Sequence, residues 1–90
     1  MLASATPSST AGHSSLFAVE VFKTSVASAA QGKAVVQALH HRFPTLTASL
    51  DLEDCDRVLR VQSLRPGPVF WEPVMELVYG LGVAIEILPE

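Results

Sequence analysis

Six short segments of contrasting periodicity predict an α+β chain in the order strand, helix, strand, strand, helix, strand. Apolar side chains fall on alternate positions in four segments, the period of a strand with one buried face. In two longer segments they recur at three-and-four spacing, the period of a helix lying on a core. Clusters of Pro, Gly, Asp and Ser separate the segments where the chain must turn.

The elements follow in order. Leu16 to Lys23 (LFAVEVFK) alternates, with Phe17, Val19 and Val21 assigned to the core face and Ala18, Glu20 and Phe22 to the other. Thr24 to Ser28 is a polar loop in which Ser28 can cap the following helix. From Ala29 to Phe43, the residues Ala29, Gly32, Val36, Leu39 and Phe43 make one face. Lys33, Gln37, His40, His41 and Arg42 occupy the other sides, and Pro44 ends the helix. Leu46, Ala48, Leu50 and Leu52 alternate with Thr47, Ser49 and Asp51; after the turn Glu53 to Asp56, Leu59 and Val61 alternate with Val58, Arg60 and Gln62. That pair is a hairpin. Leu64 to Pro68 (LRPGP) breaks regular structure, and Val69 to Leu81 is helical in pattern. Pro73 belongs in the first turn, so the regular helix begins at about Glu72 or Pro73. Phe70, Val74, Leu77 and Leu81 read as its core stripe. Gly82 terminates the helix, and Val83 to Leu88 alternates again as the last strand.

Two strand-helix-strand crossovers around one hairpin assemble most simply as a ferredoxin-like βαββαβ sandwich, a four-stranded antiparallel sheet with both helices on one face. The first and second strands then run the same way. The connections Thr24 to Ser28, Glu53 to Asp56 and around Gly80 to Gly82 therefore share one end of the molecule, where a site on loops is expected. The open sheet face is expected to carry Glu20, Phe22 and Arg60 among polar neighbours. It lacks the stacking aromatics of an RNA-binding sheet, and the first loop has no arginine for acylphosphatase-like phosphate binding.

Residues 1–15 are rich in Ser, Thr and Ala, without periodicity, and read as a disordered tail; residues 16–90 form one domain. Hydrophobic residues at 49% and charged residues at 17% are those of a chain with a folded core. A net charge of −3 repels phosphate backbones and anionic headgroups, so neither nucleic acid nor membrane is an expected partner. No leader-like start and no long apolar run are present, so a cytoplasmic location is expected. Cys55 is the single cysteine, so no internal disulfide forms.

From Val19 to Val61 the chain resembles a heavy-metal-associated domain of the copper-chaperone type: a strand, a loop, a helix ending in Leu39-x-x-x-Phe43-Pro44, then the hairpin TASLDLEDCDRVLRV. The segment ELVYGLGVAIEIL resembles that family's second helix, glycine and final strand. The resemblance implies the fold described above. In the family, two cysteines separated by two residues on the loop after the first strand bind a soft ion such as Cu(I). Here Thr24 to Gln31 contains no cysteine, histidine or methionine, so a divergent member without the thiolate site is expected.

Two readings of the acidic turn Asp51 to Asp56 stand side by side. Asp54, Cys55 and Asp56 are candidate ligands for a weak divalent metal site; alternatively the aspartates cap a solvated bend. No cofactor is otherwise implied. His40 and His41 are adjacent and point about 100° apart on a helix, so they do not chelate one ion. On the second helix Trp71, Met75 and Tyr79 recur at i, i+4 and i+8 beside the core stripe. They are candidates for contact with a protein partner or a second copy of the chain, or else fill the flank between the helices. No residue set forms an acid, base and nucleophile, so the expected function is non-catalytic: metal-related binding or protein interaction on a heavy-metal-associated-like domain. The alternative is a dimeric ligand-sensing or regulatory ferredoxin-like module.

Overall fold

The computed structural model describes residues 17–88, and the expected N-terminal tail over 1–15 lies outside them. The elements are β1 (Val19–Thr24), α1 (Ala29–Arg42), β2 (Leu46–Asp51), β3 (Val58–Ser63), α2 (Glu72–Gly80) and β4 (Ile85–Ile87). The four strands pair antiparallel in the spatial order β2-β3-β1-β4, the ferredoxin-like arrangement predicted. β1 and β3 are central, and β2 and β4 form the two edges. Among the described residues, no helix is long and apolar enough to cross a membrane.

The core lies between the helices and one face of the sheet. Phe22, Leu59 and Val61 enter it from the central strands, Val35 and Leu39 from α1, and Val74 and Val78 from α2. Val26 and Val83 close it from the connecting segments.

The first strand faces the other way from the sequence expectation. Phe22 is 0% exposed and Val19 is 46% exposed. Both faces of LFAVEVFK carry apolar residues, so alternation alone does not orient it, and the partner strand decides. Phe22 lies opposite Leu59 and Glu20 opposite Val61. Because directly paired residues share a face and Leu59 and Val61 are interior, Phe22 turns inward and Val19 and Val21 turn to the open face. The ring of Phe22 meets Trp71 edge-on, with centroids 6.0 Å apart and planes at 71°.

Helix α1 carries its own start signal. Ser28 is extended, its Oγ accepts the Gln31 N–H at 3.1 Å, and Gln31 Oε1 accepts the Ala27 N–H at 2.7 Å. These satisfy donors that a helix start leaves unpaired. Gly32 lets α1 approach the sheet, since a Cβ there would stand 2.6 Å from Leu50 Cδ2. Val35, rather than Ala29, completes the buried face with Gly32 and Leu39.

The stripe expected on α2 is also corrected. Val74 and Val78 are its buried residues, with Trp71, Met75 and Leu77 packed partly buried against the core. Phe70 is 81% exposed and Leu81 is exposed as well. The helix begins at Glu72 and ends at Gly80, so Phe70 and Leu81 flank it and helical phase does not set their direction. Gly82, at φ 87°, supplies the left-handed turn after the helix.

Candidate functional site

The three connections expected at one end do meet, and polar side chains tie them together. The Thr24 hydroxyl is buried; it donates to the Arg57 carbonyl at 2.7 Å and accepts the Val26 N–H at 3.3 Å. The Thr24 N–H donates to the Asp56 carbonyl at 3.1 Å. Ser25 joins the same loop to the approach to β4: its N–H donates to the Ala84 carbonyl at 3.0 Å, and its Oγ accepts the Ala84 N–H at 2.8 Å. Arg57 has φ 47°, a left-handed conformation that costs a residue with a Cβ about 1–2 kcal/mol. The Thr24 hydroxyl bonds to the carbonyl of this strained residue. Thus the loop after β1 is engaged in hydroxyl and backbone bonds within the domain. Hydroxyls are hard, neutral donors with little affinity for a soft cation.

The hairpin turn brings together the acidic candidates. One ligand atom each from Asp54, Cys55 and Asp56 lies within 4.8 Å of the others. Cys55 is exposed. Asp54 Oδ1 accepts the Asp56 N–H at 2.8 Å, and Asp51 Oδ1 accepts the Glu53 N–H at 3.0 Å. These are side-chain bonds to the backbone two residues on, which shape an aspartate-rich bend. Lys23 Nζ lies 3.8 Å from Asp56 Oδ1. The carboxylates therefore have work in the turn, and the one soft donor stands at the surface.

His40 and His41 are both exposed. His40 Nε2 accepts the N–H of Ala48 at 3.0 Å, which places the ring proton on Nδ1 and covers a donor on edge strand β2. The preceding outward donor along that edge, the Leu46 N–H, goes to the Phe43 carbonyl at 3.0 Å. The histidine is an edge cover supplied by the end of α1.

The opposite flank differs. Phe70 at 81%, Tyr79 at 73% and Ile87 at 46% exposure stand along α2 and β4. Two shallow depressions lie between them. One, of about 250 Å³, is lined by Met75, Glu76, Tyr79 and Ile85. The other, of about 280 Å³, includes Phe70, Trp71, Met75 and Ile87. Met75 belongs to both, so the surface is continuous. Of the sequence candidates, Trp71 and Met75 are partly buried and form its floor, while Tyr79 projects from it. Phe70 and Ile87 join them. Helical phase assigns Phe70 to the core, but that pattern does not show that a flank has no further layer to cover it.

No known family model, curated protein or solved structure matches the chain.

Proposed function

We propose that this chain is a non-catalytic protein-interaction domain whose contact surface is the α2–β4 flank. The observation that carries this reading is the continuous apolar surface from Phe70 through Met75 to Tyr79, beside the exposed Ile87. Aromatic residues and Met are enriched at the centres of protein interfaces, and exposed contiguous apolar patches mark binding surfaces. Metal delivery in the manner of the resembled family has weaker support, because Thr24 and Ser25 spend their hydroxyls on bonds within the domain.

Photo-crosslinking amino acids placed at Phe70 and Tyr79, and for comparison at Thr47 and Gln62 on the open sheet face, test the reading in host cells. Discrete protein adducts are expected from the first pair and not from the second. Equal labelling at all four positions, or none at Phe70 and Tyr79, defeats it. A parallel titration with Zn(II) and Cu(I) under reducing conditions is expected to give no binding tighter than micromolar.

A further inference from the structure

Resting on the interaction role proposed above, we infer that the α2–β4 flank docks an amphipathic helix of another protein, apolar along one side and bordered by Lys or Arg, and not a second copy of this chain. Charge selects the occupant. The two depressions are bordered by Glu76 and Glu72, and no basic side chain lines either. Glu86 lies opposite Lys23, so strand alternation turns it to the open sheet face, away from Ile85 and Ile87, and it is not part of this border. None of the six basic residues of the chain belongs to α2 or β4. Arg65, outside α2 and β4, lines an adjoining depression with Phe43 and Leu46, which shares Val69 and Phe70 with the second of the two.

A second copy docking through the same surface would set a glutamate border against itself. Like charges facing one another at an interface suppress association, and no cation of the flank offsets them. A partner bordered by Lys or Arg reverses the sign while filling the same apolar floor.

Spacing selects a helix. Trp71 at the cap of α2 and Met75 and Tyr79 within it follow at four-residue steps, a rise of about 6 Å per step, and Met75 lines both depressions. Apolar side chains at i and i+4 of a partner helix repeat at that distance. Strand addition has little to pair with, because β4 has three residues and is soon followed by Pro89, which lacks an N–H.

The test uses the full chain and two synthetic helical peptides with one identical leucine stripe, flanked by Lys in one and by Glu in the other. Binding is read by calorimetry and by fluorescence of Trp71, the only tryptophan. The Lys peptide is expected to bind at least about tenfold tighter, with the difference shrinking as salt rises. Glu72→Lys with Glu76→Lys should reverse the preference. The same charge change at Asp51→Lys with Glu53→Lys should leave it, and Phe70→Ser with Tyr79→Ser should weaken the Lys peptide at least about tenfold while circular dichroism stays unchanged. Equal affinity for both peptides overturns the inference. So does a preference that follows net charge wherever the lysines are placed, or a dimer abolished by Phe70→Ser with Tyr79→Ser. If neither peptide binds while crosslinks form at Phe70 and Tyr79, the basic helix is refuted and the interaction role stands; if crosslinks are also missing, the role itself falls.

Discussion

The two halves of this fold, β1-α1-β2 and β3-α2-β4, solve the same problem with different surfaces. Each lays a helix on the sheet and leaves one strand at an edge. In the first half, α1 carries Lys33, Gln37, His41 and Arg42 on exposed positions, and the outward N–H groups of Leu46 and Ala48 on edge strand β2 are covered by Phe43 and His40. In the second half, the flank of α2 and β4 exposes Phe70, Tyr79 and Ile87. An edge and its neighbouring helix are ordinarily blunted by charge or by cover. The first half covers the start of its edge in this way, with an apolar depression of about 320 Å³ left between α1 and β2 over Val36, Leu50 and Leu52. The second exposes whole aromatic rings, and that contrast directs attention to α2 and β4 and away from the loops.

The largest expected effect sets a buried ring of the first half against an exposed ring of the second. Phe22→Ala removes a fully buried ring that packs on Trp71, and should cost about 3–5 kcal/mol in urea unfolding. Phe70→Ala removes a ring of the same size from the exposed flank, and should stay within about 0.5 kcal/mol. Comparable losses would place Phe70 in the core and dissolve the contrast between the halves.

Those two phenylalanines also mark what was legible in the sequence. The order of elements, the pairing of β2 with β3 and the shared loop end follow from periodicity and punctuation, and all are present. The inward face of β1 does not follow. LFAVEVFK carries apolar groups on both faces, and only its register against Leu59 and Val61 orients it. The α2 stripe failed for a related reason: Phe70 and Leu81 look helical by spacing, but the helix stops short of both. Among the site candidates, the i, i+4, i+8 line found Tyr79 and the partly buried floor of Trp71 and Met75. The bonds of Thr24 and Ser25 join positions far apart in sequence, and nothing local announces them.

The next effect concerns the seam at which the halves meet. Thr24→Val keeps the side-chain shape but removes the hydroxyl that bonds the Arg57 carbonyl and the Val26 N–H, within a buried position. Leaving such groups without a partner costs about 1–3 kcal/mol, and Thr24→Ser should recover most of it. Thermal unfolding of the two variants against the parent measures this. Equal stability of Thr24→Val and the parent would mean that the loop end is held by its backbone bonds alone.

Ser28→Ala sharpens the comparison of the helices themselves. α1 has a side-chain cap at its start, whereas Trp71 at the start of α2 offers none. Removing the Ser28 hydroxyl should cost about 1 kcal/mol in urea unfolding. The α2 start depends instead on Pro73 in its first turn and on the packing of Trp71 against Phe22. A negligible loss for Ser28→Ala would show that α1 too is held by packing rather than by its cap.

The smallest effect in free energy is the most local. His40→Leu takes away the acceptor for the Ala48 N–H while leaving β2 paired to β3, so global stability should fall by only about 0.5 kcal/mol. The informative quantity is amide hydrogen exchange. The Ala48 amide faces away from β3, so without the ring it is left to water, and its exchange should quicken by about tenfold or more. His40→Gln, which can present an oxygen near the position of Nε2, should retain protection. Leu46, whose N–H goes to the Phe43 carbonyl, should be unchanged in both. Exchange at Ala48 that ignores His40→Leu would mean the first half's edge is as open as the second's, and the difference between the flanks would then rest on side-chain polarity alone.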